Sequence, residues 1–475
     1  MKYVVGLLLG IALTLLVTHV VLPRLISRMV TGEFERFIDA DPSLVFHAYN
    51  HDDLERFVRY SIPQYSPYLS EQVFACVATH IQTRFAERLK AAGKDITDER
   101  ELAAYLIATG VFTNSTPEQL ATALAQVDSC ARFLPPLKVA TEYHAHSGGI
   151  PGARLGAEWE PLGGVLIGWP CYLPANWHTA ARLVTEVSEK ATALVIVPNA
   201  CWQKAVENFL RTHRYRLEGI RFIHIRNDDV WTRDYGPITV AVGTGAPVFV
   251  ANPYVIPGQP HYKFDSEIAL RLGGYFDVPV HKLPVVLEGG NIITDGRGTL
   301  MLSDSVLLNN PDVDRARLDK VLADYLGARR VILVPHLPGE VTGHIDGIVK
   351  VLDEDTLLIT RLDKRHKWHA AVEEWVKLLA SEKSVNGKPY KIHRIVTPQP
   401  PLDYQTWTYI NSLTLNGKVI VPVYGVKEDE EALATYRQVM QGYQVVGIDY
   451  TRYTVGAVHC QTKEFPAALT ARVLK

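Results

Sequence analysis

The sequence predicts a mixed α/β body held behind an apolar N-terminal helix and a small helical domain, and three observations carry that reading. From Tyr3 to Leu22 the run YVVGLLLGIALTLLVTHVVL holds no formally charged residue. Between Phe34 and Leu134 apolar residues recur at helical spacing, with few strand-like runs. After Pro151 the texture changes to short apolar runs, GGVLIGWP, TALVIVP, RFIHI, PITVAV, VILVP, TLLIT and KVIVPVY, separated by helical patterns and turns. At 475 residues the chain also exceeds the roughly 250 to 300 at which one core stops growing, so more than one unit is expected. The expected boundaries are 1–24 for the apolar helix, 25–145 for the helical domain and 146–475 for the α/β body.

The N-terminal run is long enough to span a bilayer, because about 20 helical residues at about 1.5 Å each cross a hydrocarbon core about 30 Å thick. A cleaved signal would carry a shorter apolar stretch and a small-x-small site, whereas Val20, Val21, Leu22, Pro23 and Arg24 follow here. The preferred reading is therefore a single uncleaved anchor, with a cleaved signal and a buried core helix as the alternatives. Lys2 stands on one side of it and Arg24 and Arg28 on the other, so the basic residues nearly balance. The body is expected outside the cytoplasm, in the periplasm, where Cys76 and Cys130 could pair. In the helical domain, Val73, Val77, Ile81, Phe85 and Leu89 form an apolar stripe at fourth positions. Ser115, Pro117 and Glu118 open a further helix with the residues of a capping box and a Pro in its first turn. This domain shows no catalytic constellation, and a part in membrane spacing or in a homo-oligomer stays open. His144 and His146 lie in a Ser, Gly and Pro-rich linker, which argues against a metal pair.

Composition narrows the function classes. Hydrophobic residues make up 47% and charged residues 21%, the profile of a chain that folds around a core rather than a disordered one. With 49 Lys+Arg against 51 Asp+Glu the net charge is −2, so nothing global draws the protein to nucleic acid. Five cysteines without a C-x-x-C pair exclude a disulfide scaffold and a thiolate zinc site of that spacing. The charge run Lys427 to Glu431 reads as the solvated start of a helix.

Four segments carry chemistry. Asn227 to Pro237, NDDVWTRDYGP, packs three aspartates and Arg233 around Trp231 directly before the strand-like ITVAV, although a turn with an Arg233 salt bridge is the plainer account. Leu287 to Thr299 places Glu288 and paired glycines after an apolar run, the pattern of a close backbone approach or of a hairpin. His344 and Asp346 stand two apart, so on an extended strand they would share one face as an acid/base and an anion. Cys460 follows a small-residue approach near the C-terminus, and Asn411 lies upstream in the stretch YINSLTLN. Each signal alone has a structural explanation, a buried Cys or a satisfied His included.

Together, in this order, the segments resemble the guanidine-modifying superfamily of pentein fold, and most closely the agmatine deiminase and bacterial peptidylarginine deiminase family. The resemblance begins at Ala157-Glu158-Trp159-Glu160-Pro161 and the following VLIGWP, and runs to Cys460-Gln461-Thr462. It implies a pentein propeller of five ββαβ modules around a central site. It also implies Cys460 as nucleophile, His344 as general acid/base, Asp234 and Asp346 as the carboxylates gripping a guanidinium, Glu288 as the partner of His344, and Trp231 over the guanidinium plane. Asn411 is the candidate for positioning Cys460 or the substrate backbone. The expected activity is hydrolysis of the guanidinium of agmatine, a peptidylarginine or a related molecule to a ureido product and ammonia, with no metal or organic cofactor. In the agmatine case the step belongs to putrescine biosynthesis. An amidinotransferase and a non-catalytic guanidinium-binding module are the alternatives. The chain departs from agmatine deiminases in three places: Thr454 to Val458 replaces their glycine-rich approach, Lys350-Val351 stands where they have Arg-Phe, and Asn252 to Pro260 lacks their Trp-Gly-Gly-Lys.

Overall fold

A computed structural model of the chain describes residues 149–171, 176–198, 200–243, 246–252, 264–340, 342–398, 407–451 and 456–473. The expected anchor (1–24), the whole of the expected helical domain (25–145), the Cys76 and Cys130 pair and His144 and His146 lie outside these residues. Among the described residues no helix is long and apolar enough to cross a membrane. The chain divides into two compact units; segments 135–169, 178–203 and 215–475 form the one that holds every candidate residue, and segments 170–177 and 204–214 belong to the other.

The larger unit is built on seventeen described strands. The first seven are β1 (Ala153–Leu155), β2 (Leu162–Gly168), β3 (Thr192–Val197), β4 (Ile220–His224), β5 (Ile238–Val242), β6 (Ala246–Ala251) and β7 (Val280–Lys282). There follow β8 (Ile293–Thr294), β9 (Thr299–Ser303), β10 (Arg330–Val334), β11 (Val349–Asp353), β12 (Thr356–Arg361) and β13 (Lys391–Val396). The last are β14 (Leu413–Leu415), β15 (Lys418–Val423), β16 (Gln444–Asp449) and β17 (Thr462–Pro466). All seven of the strand-like runs read from the sequence fall on strands.

These strands make five separate sheets, ordered β1-β5-β6-β7, β10-β9-β8, β11-β12-β13, β14-β15-β16 and β17-β2-β3-β4. One pattern recurs in all five. An antiparallel pair (β5 with β6, β8 with β9, β11 with β12, β14 with β15, β17 with β2) is followed by a helical crossover to a parallel neighbour (β7, β10, β13, β16, β3). Parallel strands need such long connections, and helices supply them: Ile268–Phe276, Arg315–Leu326, His369–Ser381, Glu428–Val439 and Trp177–Ser188. The strand at the centre of each exchange reads as an unbroken apolar run because both faces are covered; in β12, Thr356 to Thr360 are all buried.

Helix starts follow local chemistry. Asp314 caps Arg315–Leu326 by accepting the Arg317 N–H at 2.8 Å. In Glu428–Val439 four acidic residues occupy the first turn, favourable beside the helix's positive end. Not all of that charge run is solvated: Asp429 turns back to accept the N–H groups of Tyr424 and Val426 and the hydroxyl of Tyr409. It thereby holds the chain that leads to Asn411. The core bridges sheets: Leu166, Leu194, Phe249, Phe276 and Phe465 meet in one cluster, and Met301, Val334, Leu357 and Trp375 in another.

Candidate active site

The candidate residues stand on equivalent connections. Asp234, Glu288, His344 with Asp346, Asn411 and Cys460 each lie just upstream of the strand that opens an antiparallel pair, namely β5, β8, β11, β14 and β17. The side chains of Asp234, His344, Asp346 and Asn411 are buried, and those of Glu288 and Cys460 are half-buried.

Asp234 sits in the short helix Thr232–Tyr235, whose neighbours do different work. Asp228 accepts the Phe264 N–H at 2.7 Å while its own N–H donates to Asp265. Asp229 is buried and turned into its own loop, accepting the Val230 N–H at 2.5 Å. Of the three aspartates in the motif, Asp234 is the one that faces the candidate His344 and Glu288. Arg233 does form the salt bridge that the plainer reading expected, to Glu464 of β17, and it also donates to the His459 and Cys460 carbonyls.

Glu288 leads into the 3-10 turn Gly289–Asn291, which brings main chain into the site. The Gly290 N–H donates to Asp234 Oδ1 at 2.9 Å, and its carbonyl accepts the Asp346 N–H at 3.2 Å. A Cβ at Gly290 would lie 2.5 Å from His344 Nδ1, so the approach requires glycine. Asn291 fixes the turn to β9 by a two-way exchange with the Ser303 main chain.

His344 and Asp346 do not lie on a strand, contrary to the expectation from their spacing. Gly343 has φ +68°, its carbonyl accepts from Ser303 and Ser305, and the chain turns through Ile345 to Ile348 before β11 begins. The two side chains are instead brought together by a turn. His344 Nε2 meets Glu288 Oε2 at 2.6 Å, while Nδ1 makes no hydrogen bond and faces Asp234 Oδ1 at 3.6 Å. Burial alone would lower the His344 pKa, but the Asp234 charge and the Glu288 contact push it up to about 10. Burial raises Asp234, with Glu288 and Asp346 adding to the effect against His344. Burial would also raise Asp346, yet His459 holds it below the ordinary carboxylate value.

Asn411 engages the cysteine at two points, its Oδ1 accepting the Cys460 N–H at 3.1 Å and its Nδ2 reaching Sγ at 3.2 Å. Asp346 Oδ2 is 3.9 Å from Sγ. Desolvation, Asp346 and Asp234 push the thiol well above its ordinary pKa. The ring of Trp231 lies against Gly456, at the start of the segment that delivers Cys460.

Three neighbours had no role in the sequence reading. His459 Nδ1 meets Asp346 Oδ2 and its Nε2 meets Glu158 Oε1, both at 2.7 Å; Glu158 Oε2 takes Lys350 Nζ at 2.5 Å. The signals were present as His459 beside the cysteine, Glu158 in the stretch AEWEP, and Lys350 where related chains have Arg. Glu158, His459 and Glu464 offer ligand atoms within 4.8 Å of one another, a spacing that suits a cation. Lys350 and Arg233 already supply positive charge to both carboxylates.

Comparison with known proteins agrees with this arrangement. Residues 154–466 match the family of Porphyromonas-type peptidyl-arginine deiminases. The agmatine deiminase of Medicago truncatula is 28% identical over 372 residues, 66% of this chain and 97% of that protein. A putative agmatine deiminase of Legionella pneumophila is 28% identical over 66% of this chain and 95% of its own length. Among solved structures, the agmatine deiminase of Enterococcus faecalis superposes with a TM-score of 0.61 at 21% identity, covering 68% of this chain and 98% of that one. A putative arginine deiminase from Porphyromonas gingivalis gives 0.60 at 25% identity, over 66% and 98%. The described α/β body thus has the pentein fold of these proteins, and the chain belongs to the Porphyromonas-type peptidyl-arginine deiminase family, hydrolases of the C–N bonds of linear amidines.

Proposed function

We propose that the protein is a cysteine-dependent guanidine deiminase that forms an amidino-cysteine intermediate and releases ammonia and a ureido product. The observation that carries this reading is the Asp346 carboxylate 3.9 Å from the Cys460 Sγ, with the Asp234 charge also acting on the thiol and His344 Nδ1 3.6 Å from Asp234. A guanidinium is planar and cationic, so two carboxylates accept its edge N–H groups and leave its central carbon to the sulfur. Trp231 covers its face.

Burial first, and then the charges of the two aspartates, keep the thiol protonated. A bound guanidinium offsets their charge, the thiol pKa falls, and its proton leaves to solvent. The thiolate adds to the guanidinium carbon. His344, an imidazolium held at Nε2 by Glu288, donates from the free Nδ1 to the departing nitrogen, and ammonia is expelled. The neutral imidazole then takes a proton from water, which adds to the amidino carbon; the C–S bond breaks and the ureido product leaves. Asn411 steadies the sulfur throughout.

The substrate class is a guanidine with an aminobutyl or a peptidyl tail, by likeness to agmatine deiminases and to the family itself. The fivefold recurrence of antiparallel pair, helix and parallel strand supports five ββαβ modules around the site. The uncharged run Tyr3 to Leu22 supports a single membrane anchor with the body in the periplasm, testable by alkaline extraction and by protease access from outside.

The activity is tested by ammonia release from agmatine, free arginine and arginine-containing peptides. Release from one of them that disappears in Cys460→Ala is the expected result. Release that survives Cys460→Ala, or none from any guanidine, overturns the reading.

A further inference from the structure

His459 stands next to the nucleophile in sequence, is buried at 3% exposure, and takes no direct part in the steps above. Both of its ring nitrogens face carboxylate oxygens at 2.7 Å, Asp346 on one side and Glu158 on the other. A neutral imidazole has one N–H and one lone pair, so it satisfies only one of two ionised carboxylates; an imidazolium satisfies both. Glu158 is itself tied to Lys350, whose ammonium also donates to the Ser412 carbonyl at 2.8 Å. From Lys350 through Glu158 and His459 to Asp346 the charges alternate in sign. The series ends at the sulfur, where the guanidinium would be the next cation.

We propose that His459 is a positioning residue that keeps Asp346 ionised and fixed in place to receive the substrate's guanidinium, with Glu158 and Lys350 holding His459 in its charged form. This deepens the deiminase reading and rests on it. Two carboxylates serving one cation repel each other, and such pairs ordinarily separate into one acid and one anion. The two aspartates do separate: Asp234 lies above the ordinary value and Asp346 below it. The difference has a structural source: His459 meets Asp346 at 2.7 Å, whereas Asp234 has the neutral Gly290 N–H at 2.9 Å and its imidazole, His344, stands off at 3.6 Å.

Burial works first against the His459 imidazolium, and Arg233, near both His459 and Asp346, also disfavours it while favouring the carboxylate; the ion pair of Arg233 itself is with Glu464. Lys463, on the same strand as Glu464, is pushed down to about 7 by burial and by Arg233. On the substrate side, Asp346 faces His344, Asp234 and the Cys460 thiol. Against Arg233, the two carboxylates that touch its nitrogens keep the His459 pKa raised.

The test reads binding, so it does not depend on turnover. Full-length Cys460→Ala protein, with and without His459→Asn, is titrated calorimetrically with agmatine and with an arginine-containing peptide at about pH 6 and about pH 8.5, bracketing the ordinary His value. Asn offers Asp346 a neutral donor without the charge. Affinity falls about tenfold for each unit by which the Asp346 pKa stands above the working pH, so a rise in His459→Asn that carries it about one unit past pH 6 makes the pH 6 to pH 8.5 affinity ratio about tenfold steeper than in the parent. At the higher pH affinity holds or improves, because a cation has been removed from beside a cationic ligand. An equal loss at both pH values marks a purely structural role and overturns the proposal.

A second readout needs no ligand. Nitrogen-15 histidine spectra of the full-length protein should show both His459 nitrogens protonated from about pH 6 to pH 8.5, a range over which an ordinary imidazole loses its proton. Glu158→Gln should shift that loss to lower pH, and it serves where His459→Asn fails to fold. A neutral His459 tautomer in the parent overturns the proposal. If no guanidine binds and no ammonia forms, the deiminase reading falls by itself, and the His459 spectrum still reports whether the charge series exists.

Discussion

Burial, and then the same two carboxylates proposed to bind the substrate, hold the Cys460 thiol protonated, and this has opposing consequences for one substitution. In the free protein the thiol should react with iodoacetamide more slowly than free cysteine near neutral pH, because the thiolate is the reactive form. Asp234→Asn removes one of the charges that raise the thiol pKa, so alkylation should become faster. Turnover should fall by about a thousandfold or more, since a fully desolvated charge-assisted contact to the reacting group is lost. Alkylation and ammonia release measured on one preparation separate the two effects; faster alkylation with unchanged turnover would show that Asp234 is not part of the clamp. His344 sets a further expectation. In the proposed mechanism it must carry its proton to expel ammonia, and its pKa is pushed up to about 10, so kcat/KM should decline as pH rises through that value. A decline centred near the ordinary imidazole value would place the acid elsewhere.

At the scale of elements, the turn Gly289–Asn291 needs glycine because the Gly290 main chain links Asp234 to Asp346 while lying close against His344. Gly290→Ala would put a methyl group 2.5 Å from His344 Nδ1 and 2.8 Å from Asp234 Oδ1. Displacing catalytic groups on the ångström scale costs about a hundredfold, so kcat/KM should fall by that order while the melting temperature changes much less. Steady-state ammonia release and a thermal melt test this together. The same elements explain what could be read beforehand. The strand runs and the motifs around Asp234, Glu288, His344 and Cys460 are each a few residues long, so their chemistry is visible in one stretch of sequence. The contact of His459 with Glu158 spans 301 positions, and a carboxylate in AEWEP says nothing alone about which imidazole it meets. The period-two reading of His344 and Asp346 failed for a local reason: Gly343 adopts a left-handed conformation and turns the chain where an extended strand was expected.

For the folded unit as a whole, the buried aspartates of the loop around Asp229 work against stability at high pH. Burial first, and then the charges of Asp234 and Asp228, push Asp229 up to about 8, against the Val230 N–H that favours its anion. Between the ordinary value of 3.8 and that pKa the native state binds a proton that the unfolded chain does not. This contribution is therefore present at low pH and lost as pH rises through about 8. Asp229→Asn keeps an oxygen for the Val230 N–H without the charge, so its melting temperature should exceed that of the wild type by several degrees at about pH 8.5 and by much less at about pH 5. A difference independent of pH would show that Asp229 is ionised throughout.

The pairing of β17 with β2 has a consequence for biosynthesis. The strand Thr462–Pro466 completes a sheet whose other members, β2, β3 and β4, are synthesised well before it, within 162–224. Until Thr462–Pro466 docks, the apolar run LGGVLIG is an open edge, the kind that recruits other chains. Cys460 immediately precedes that closing strand, so the proposed nucleophile reaches its place only when the strand docks. A chain interrupted before Thr462–Pro466 would then be both inert and prone to aggregate.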